Sequence, residues 1–317
     1  MKTGVLLMNL GTPSAPTPAA VRRYLREFLS DRNVVRLPRL LWYPVLYGFI
    51  LPFRPARLAH AYRSIWTERG SPLLAVSQDQ LHSLRALLGE RSACALAMTY
   101  GEPGVPEALA QLRARQVSRV VLLPLYPQFS GTTTTAALEA VQAALDRSSW
   151  QPELVVVNDY HNNAEYIAAL AESVRLHWQQ HGQGHLLVSF HSIPQRYVAA
   201  GDPYQAQCEM TASMLVQALG LAPDRWSIAY QSRLGREPWL QPYTDQELPR
   251  LAAAGVREID VICPGFSADC LETLEEVAIR YRQLFLASGG TRLRYIPALN
   301  AQPQHMRMLA GLVQSRL

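Results

Sequence analysis

Cysteine is scarce in this 317-residue chain, and its four copies, Cys94, Cys208, Cys263 and Cys270, form no CxxC pair. No thiolate metal motif is on offer, and Cys94 and Cys263 fall inside apolar runs, so reduced, buried thiols of a cytosolic protein are expected. Dense basic clusters are missing too. The formal charge of +5 is mild and comes from arginine far more than lysine. That balance suits small acidic partners or a membrane surface and argues against a nucleic-acid partner. "GTTTT" (131–135) has no lysine or glycine-rich run beside it, so it reads as a helix cap rather than a phosphate loop. The N-terminal "MKTGVLLMNLGTP" lacks a signal-peptide pattern, and a cytoplasmic location is expected.

What is present is ordinary globular material, 49% hydrophobic and 17% charged, long enough for two domains. Eight short apolar runs read as strands: 5–10, 94–100, 119–126, 153–160, 185–191, 226–232, 258–266 and 293–300. Most are apolar on both faces, as buried parallel strands are. Helical patterns lie between them. The clearest is "LETLEEVAIRYRQLF", with Leu271, Leu274, Ala278, Tyr281 and Phe285 on one stripe. The alternation predicts an α/β fold.

The eight runs also read as four, twice. "LLMNLGTP" resembles "LLVSFHSIP", and "VVVNDYHNN" resembles "RYIPALNAQ". A duplicated unit predicts two similar Rossmann-like domains, 1–165 and 166–317, each a four-stranded parallel sheet flanked by helices. Loops at the carboxyl ends of such strands form sites, so an active-site cleft between the domains is expected. The halves differ after the first strand, where the first half takes about 80 residues to reach its second strand and the second half about 32. An insertion of that size, about 33–75, should be functional. From Arg32 to Thr67 it has no acid and six arginines, around the proline-broken run "LLWYPVLYGFILPF" (40–53). That run is too short to span a bilayer. It fits a membrane interface, a greasy lip over a flat apolar ligand, or a core helix ringed by solvated arginines.

Three polar residues end up at strand ends. His191 closes the apolar run "HLLVSFH", and Asp269 and Glu272 stand three apart in "SADCLE". Alone, each has a bland reading: a structural histidine, and a capping box at a helix start. Together, an imidazole and two carboxylates make a ligand set for Fe²⁺ or another divalent first-row metal, and a set of proton acceptors.

The chain resembles the ferrochelatases, in the form found in Gram-negative bacteria. The resemblance runs through "NLGTP", "FLSDRNVV", "YRSIW…GSPL", "LPLYPQFS", "SFHSIP", "GDPY", "QSRLGREPWLQPYTD" and "CPGFSADCLETLEE". It implies the chelatase fold and insertion of ferrous iron into protoporphyrin IX to give protohaem, the last step of haem biosynthesis. His191 and Glu272 would be the iron-site residues, with Asp269 beside them in an acidic path. Phe266, Tyr126 and Trp239 would wall the pocket, with Leu10 below the macrocycle. Arg54, Arg57, Tyr62 and Ser71 would hold the propionates, a task suited to guanidinium forks. The resemblance further implies that Fe²⁺ is a substrate, that no cofactor is tightly bound, and that the protein is a monomer with peripheral contact to the inner membrane through the lip.

Three departures stand out. Cys270 replaces a histidine common among relatives, and Thr99-Tyr100 stands where many have Arg-Tyr. The chain also carries no cysteine-rich tail, so no iron–sulfur cluster is expected. Two other readings remain open at this point: a non-catalytic tetrapyrrole or metal carrier, and a chelatase for another tetrapyrrole such as sirohydrochlorin.

Overall fold

The computed structural model describes residues 2–89, 92–235 and 237–317. The chain forms two compact units. The first runs to Tyr126, resumes over Ser130–Asp159 and closes with Met306–Leu317; the second holds Pro127–Phe129 and Tyr160–His305.

All eight expected strands are present. In the first unit β1 (Thr3–Gly11), β2 (Ser92–Tyr100), β3 (Arg119–Pro124) and β4 (Glu153–Val156) lie in the order β2-β1-β3-β4. In the second, β5 (His185–His191), β6 (Trp226–Gln231), β7 (Glu258–Ile262) and β8 (Arg292–Ile296) repeat that order as β6-β5-β7-β8. Every pairing is parallel. The central strands β1 and β5 are buried almost end to end, Leu6, Leu7, Leu186 and Leu187 having no exposed surface. A strand covered on both faces needs a near-continuous apolar run, and these sequences supply it. β1 ends at Gly11, where φ is +111° and a Cβ would come within 1.7 Å of the Tyr100 carbonyl oxygen. Only glycine fits there.

The connections carry the asymmetry. β1 reaches β2 through helices Pro18–Ser30, Arg39–Val45, Leu51–Ile65 and Pro72–Leu88, with a π-helical turn over Leu46–Ile50. β5 reaches β6 through Gln195–Ala199, Tyr204–Leu219 and a short 3₁₀ turn. The second unit takes up the chain from Tyr160, and the segment Met306–Leu317 belongs to the first unit. Its apolar face (Met306, Leu309, Val313) is buried, and Arg119 of β3 donates to the Leu317 carbonyl at 3.2 Å. The helix after "SADC" is π-helical over Glu272–Tyr281. Its wider turn rotates the expected stripe, so Thr273, Glu276, Val277 and Tyr281 are buried while Leu274 and Ala278 are only half covered.

Candidate functional site

His191 is the last residue of β5, in register with Gln231 at the end of β6. The next residues are pinned rather than loose. Ser192 donates its N–H to the Gln231 carbonyl at 2.8 Å, Leu240 donates to Ile193 at 3.0 Å, and Pro194 bridges to Trp239. His191 Nδ1 lies 2.7 Å from the Ser192 carbonyl oxygen. A carbonyl can only accept, so Nδ1 carries the proton and the Nε2 lone pair of the neutral ring is left to bind a metal or take a proton. Phe266 flanks the ring with centroids 6.5 Å apart, and it sits on the apolar core of the same unit. Trp239 is half-buried, and among the described residues its indole N–H has no acceptor.

Glu272 opens the π-helical segment. Gln231 Nε2 donates to its backbone oxygen at 3.1 Å, while Gln231 Oε1 accepts from Ser189 at 2.7 Å. Cys270 is buried and its thiol bonds the Glu272 carboxylate; burial first, then that negative charge, push the thiol well above its ordinary pKa. Residue 270 is therefore a neutral thiol donor to Glu272, a poor substitute for an imidazole ligand.

The capping box that was the alternative reading of Asp269 and Glu272 is not formed among the described residues, and the π-helical segment has no side-chain N-cap. Asp269 is bound instead by residues distant in sequence. Its Oδ1 accepts from the Tyr295 hydroxyl at 2.6 Å and from Thr273 at 3.0 Å, and its Oδ2 accepts from the Asn300 amide at 2.7 Å. Burial, then the Asp269 charge, push the Tyr295 hydroxyl up, which keeps it a donor.

Sequence reasoning missed Glu276. It is buried on the π-helical segment, accepts a hydroxyl proton from Ser232, and accepts from Tyr281 at 2.8 Å. Ser232 sits at φ +67°, a left-handed conformation costly for a non-glycine residue. No local pattern marked it, because Glu272, Glu275 and Glu276 stand at the i, i+3, i+4 spacing of one ordinary solvated helix face.

The remaining candidates lie in the first unit. Arg54 and Arg57 stand three apart on helix Leu51–Ile65, so they are surface neighbours. Arg54 reaches solvent, but desolvation, then the Arg57 charge, lower its pKa. Among the described residues neither has an ion-pair partner, a charge pattern that an anion would relieve. Tyr62, buried on the same helix, packs edge-on to Trp66 at 6.1 Å. Ser71 is buried and accepts from Thr12 Oγ1 at 2.8 Å. Leu10 packs half-buried on the core that includes Tyr126. Thr99 donates to the Asn9 carbonyl at 3.3 Å, a structural bond that an arginine would not reproduce. Among the described residues no three His, Cys, Asp or Glu side chains form a group able to cage a metal ion.

The lip's apolar residues divide. Trp42 and Leu46 face inward, with the Trp42 indole donating to Leu29 O at 2.7 Å. Leu40, Leu41, Phe49 and Phe53 face out, exposed by 91%, 68%, 69% and 72%.

Comparisons with known proteins bear on this arrangement. A profile of the ferrochelatase family matches residues 2–317. A ferrochelatase of Aeromonas hydrophila is 50% identical over 98% of both chains. One of Methylococcus capsulatus is 52% identical over 100% of this chain and 97% of its own. The fold is shared more widely: a structure of SirB from Bacillus subtilis with Fe³⁺ superimposes at a TM-score of 0.61, over 99% of this chain and 95% of that one, at only 10% identity. Likeness to the sirohydrochlorin-type chelatases stops at the fold, whereas likeness to the curated relatives extends through the sequence from one end to the other. The chain is a member of the ferrochelatase family.

Proposed function

We infer that the strand-end and π-helical residues of the second unit carry the family's reaction, in which Fe²⁺ enters protoporphyrin IX and two pyrrole protons leave. The observation that carries this reading is the His191 tautomer, fixed by Ser192 with Nε2 bare. A free-base porphyrin hides its nitrogen lone pairs in the ring plane, and bending the ring exposes them. A neutral imidazole with a free ring nitrogen accepts a pyrrole proton. Glu272 hands over iron or relays the proton, and Glu276 extends the acidic line along the same helix. Asp269, with both oxygens occupied, acts by fixing the start of that helix.

Phe266 and Trp239 of the second unit, and Tyr126 and Leu10 of the first, each offer apolar or aromatic surface to the porphyrin. Arg54 and Arg57 hold the propionates, helped by Tyr62 and Ser71. The outward lip side chains rest on a membrane interface, which keeps an apolar porphyrin from crossing water. Fe²⁺ is a substrate in this scheme, and the protein works as a monomer. The contact proposed is peripheral; among the described residues no helix is long and apolar enough to cross a membrane.

The test is an anaerobic assay with protoporphyrin and Fe²⁺. Wild type forms haem; His191→Ala still binds porphyrin but turns over at least a hundredfold more slowly, the scale of a lost acid–base group. Full turnover by His191→Ala would end its assignment. Binding of both substrates by wild type without haem formation would leave a carrier.

A further inference from the structure

Arg39 has both terminal guanidinium nitrogens shielded from solvent, and among the described residues no group accepts a hydrogen bond from either. Its Cζ lies over the Tyr43 ring, 5.8 Å from the centroid. Leaving such donors buried and unsatisfied is costly, more so for a charged group, so native structures rarely tolerate it without a ligand. Arg39 also lines a cavity of about 450 Å³ with Arg32, Val35, Arg36, Leu37 and Pro38. Three arginines thus border one small space, in a stretch that contains no acid from Arg32 to Thr67.

The rim is as informative as the charge. Leu37, Leu40 and Leu41 follow directly in the chain and are exposed by 43%, 91% and 68%. A free inorganic anion would satisfy Arg39 but leave these side chains in water. An anion carrying hydrocarbon satisfies both.

We propose that Arg32, Arg36 and Arg39 form a headgroup site for the phosphodiester of an anionic phospholipid, whose chains lie along the exposed leucines. Guanidinium forks match phosphate oxygens in pairs, which a compact ammonium does not. The proposal rests on the lip's membrane contact but is more specific: that contact requires only apolar insertion, whereas this site reads the headgroup.

The decisive probe is dihexanoyl phosphatidylglycerol kept below its micelle concentration, titrated calorimetrically into the full chain. Saturable binding is expected, weakened about tenfold in Arg39→Gln and unchanged in Arg113→Gln, which removes an exposed charge elsewhere in the same unit. Vesicles of phosphatidylglycerol should be preferred over phosphatidylcholine by wild type and by Arg113→Gln, with the preference lost in Arg39→Gln. Equal binding of dihexanoyl phosphatidylcholine overturns the proposal. So does full competition by millimolar inorganic phosphate, which would make the site one for free phosphate. Weakened protoporphyrin binding in Arg39→Gln, with vesicle preference intact, would also overturn it, because the arginine would then serve a propionate. Phe49→Ser/Phe53→Ser judges the lip separately: if this variant floats with vesicles as wild type does, the lip reading fails. The soluble-lipid titration still decides the headgroup site.

Discussion

The side-chain amide of Gln231 donates to the backbone oxygen of Glu272 at 3.1 Å, and Gln231 is also the backbone partner of His191 in the parallel ladder. One buried amide thereby ties the strand end that presents the imidazole to the helix start that presents the carboxylate. Gln231→Met keeps the volume but leaves the Glu272 carbonyl and the Ser189 hydroxyl without this partner. A stability loss of about 1–3 kcal/mol is expected. The kcat for haem formation should fall while the KM for porphyrin holds, since no porphyrin-wall residue is touched. A variant that loses stability but keeps kcat would show the amide to be structural alone.

Glu272 and Asp269 divide by what holds them. No cap depends on the Glu272 carboxylate, and glutamine still accepts from the Cys270 thiol. Glu272→Gln should therefore melt within a degree or two of wild type while iron insertion collapses. Asp269→Ala removes an acceptor from Tyr295, Thr273 and Asn300 together. It should lose several kcal/mol, because hydrogen bonds to a charged group are worth about 1.5–3 kcal/mol each and three donors lose that acceptor, Thr273 keeping a second one in the Cys270 carbonyl. The comparison is made by denaturant unfolding beside specific activity. Equal destabilisation of the two variants would erase the distinction.

The strands were legible because burial on both faces leaves a mark that sequence carries directly: an unbroken apolar run ending in a polar residue, as "HLLVSFH" does. His191 followed from that rule. The duplication was legible for the same reason, and the identical strand orders agree with it. Two things were not legible. A π-helical segment has no periodic signature distinct from an α-helix over so few residues, so Glu276 was assigned to no face. Asp269 is held by Tyr295 and Asn300, 26 and 31 residues away, and long-range partners of a short polar side chain leave no local pattern.

Within the lip, inward and outward residues should respond in opposite ways. Leu46 has no exposed surface, so Leu46→Ser buries a hydroxyl and opens a void, costing about 2–5 kcal/mol. Phe53→Ser alters a side chain that is 72% exposed, and stability should stay within about 0.5 kcal/mol. Flotation with vesicles should show the reverse order of severity once folded protein is selected. A stable Leu46→Ser protein would mean the lip helix is not anchored through this side.

His305 gives a pH dependence whose sign follows from its surroundings. It has no exposed surface, Nδ1 donates to the Asn300 carbonyl at 2.7 Å, and burial lowers its pKa from 6.5 to about 4. The folded protein thus holds a neutral ring that the unfolded chain would protonate. Below pH 6.5 the unfolded state binds the extra proton, so stability falls as pH drops toward 4, by about 3 kcal/mol from this residue. Above 6.5 the contribution is complete and flat. His305→Gln retains a donor for Asn300 without the titration. Its stability at pH 7 should drop modestly, and its curve from pH 7 to 4 should be shallower than wild type by about that amount. Unfolding free energies measured by denaturant at half-unit intervals give the comparison; parallel curves for the two proteins would mean that His305 stays neutral in both states or charges equally in both.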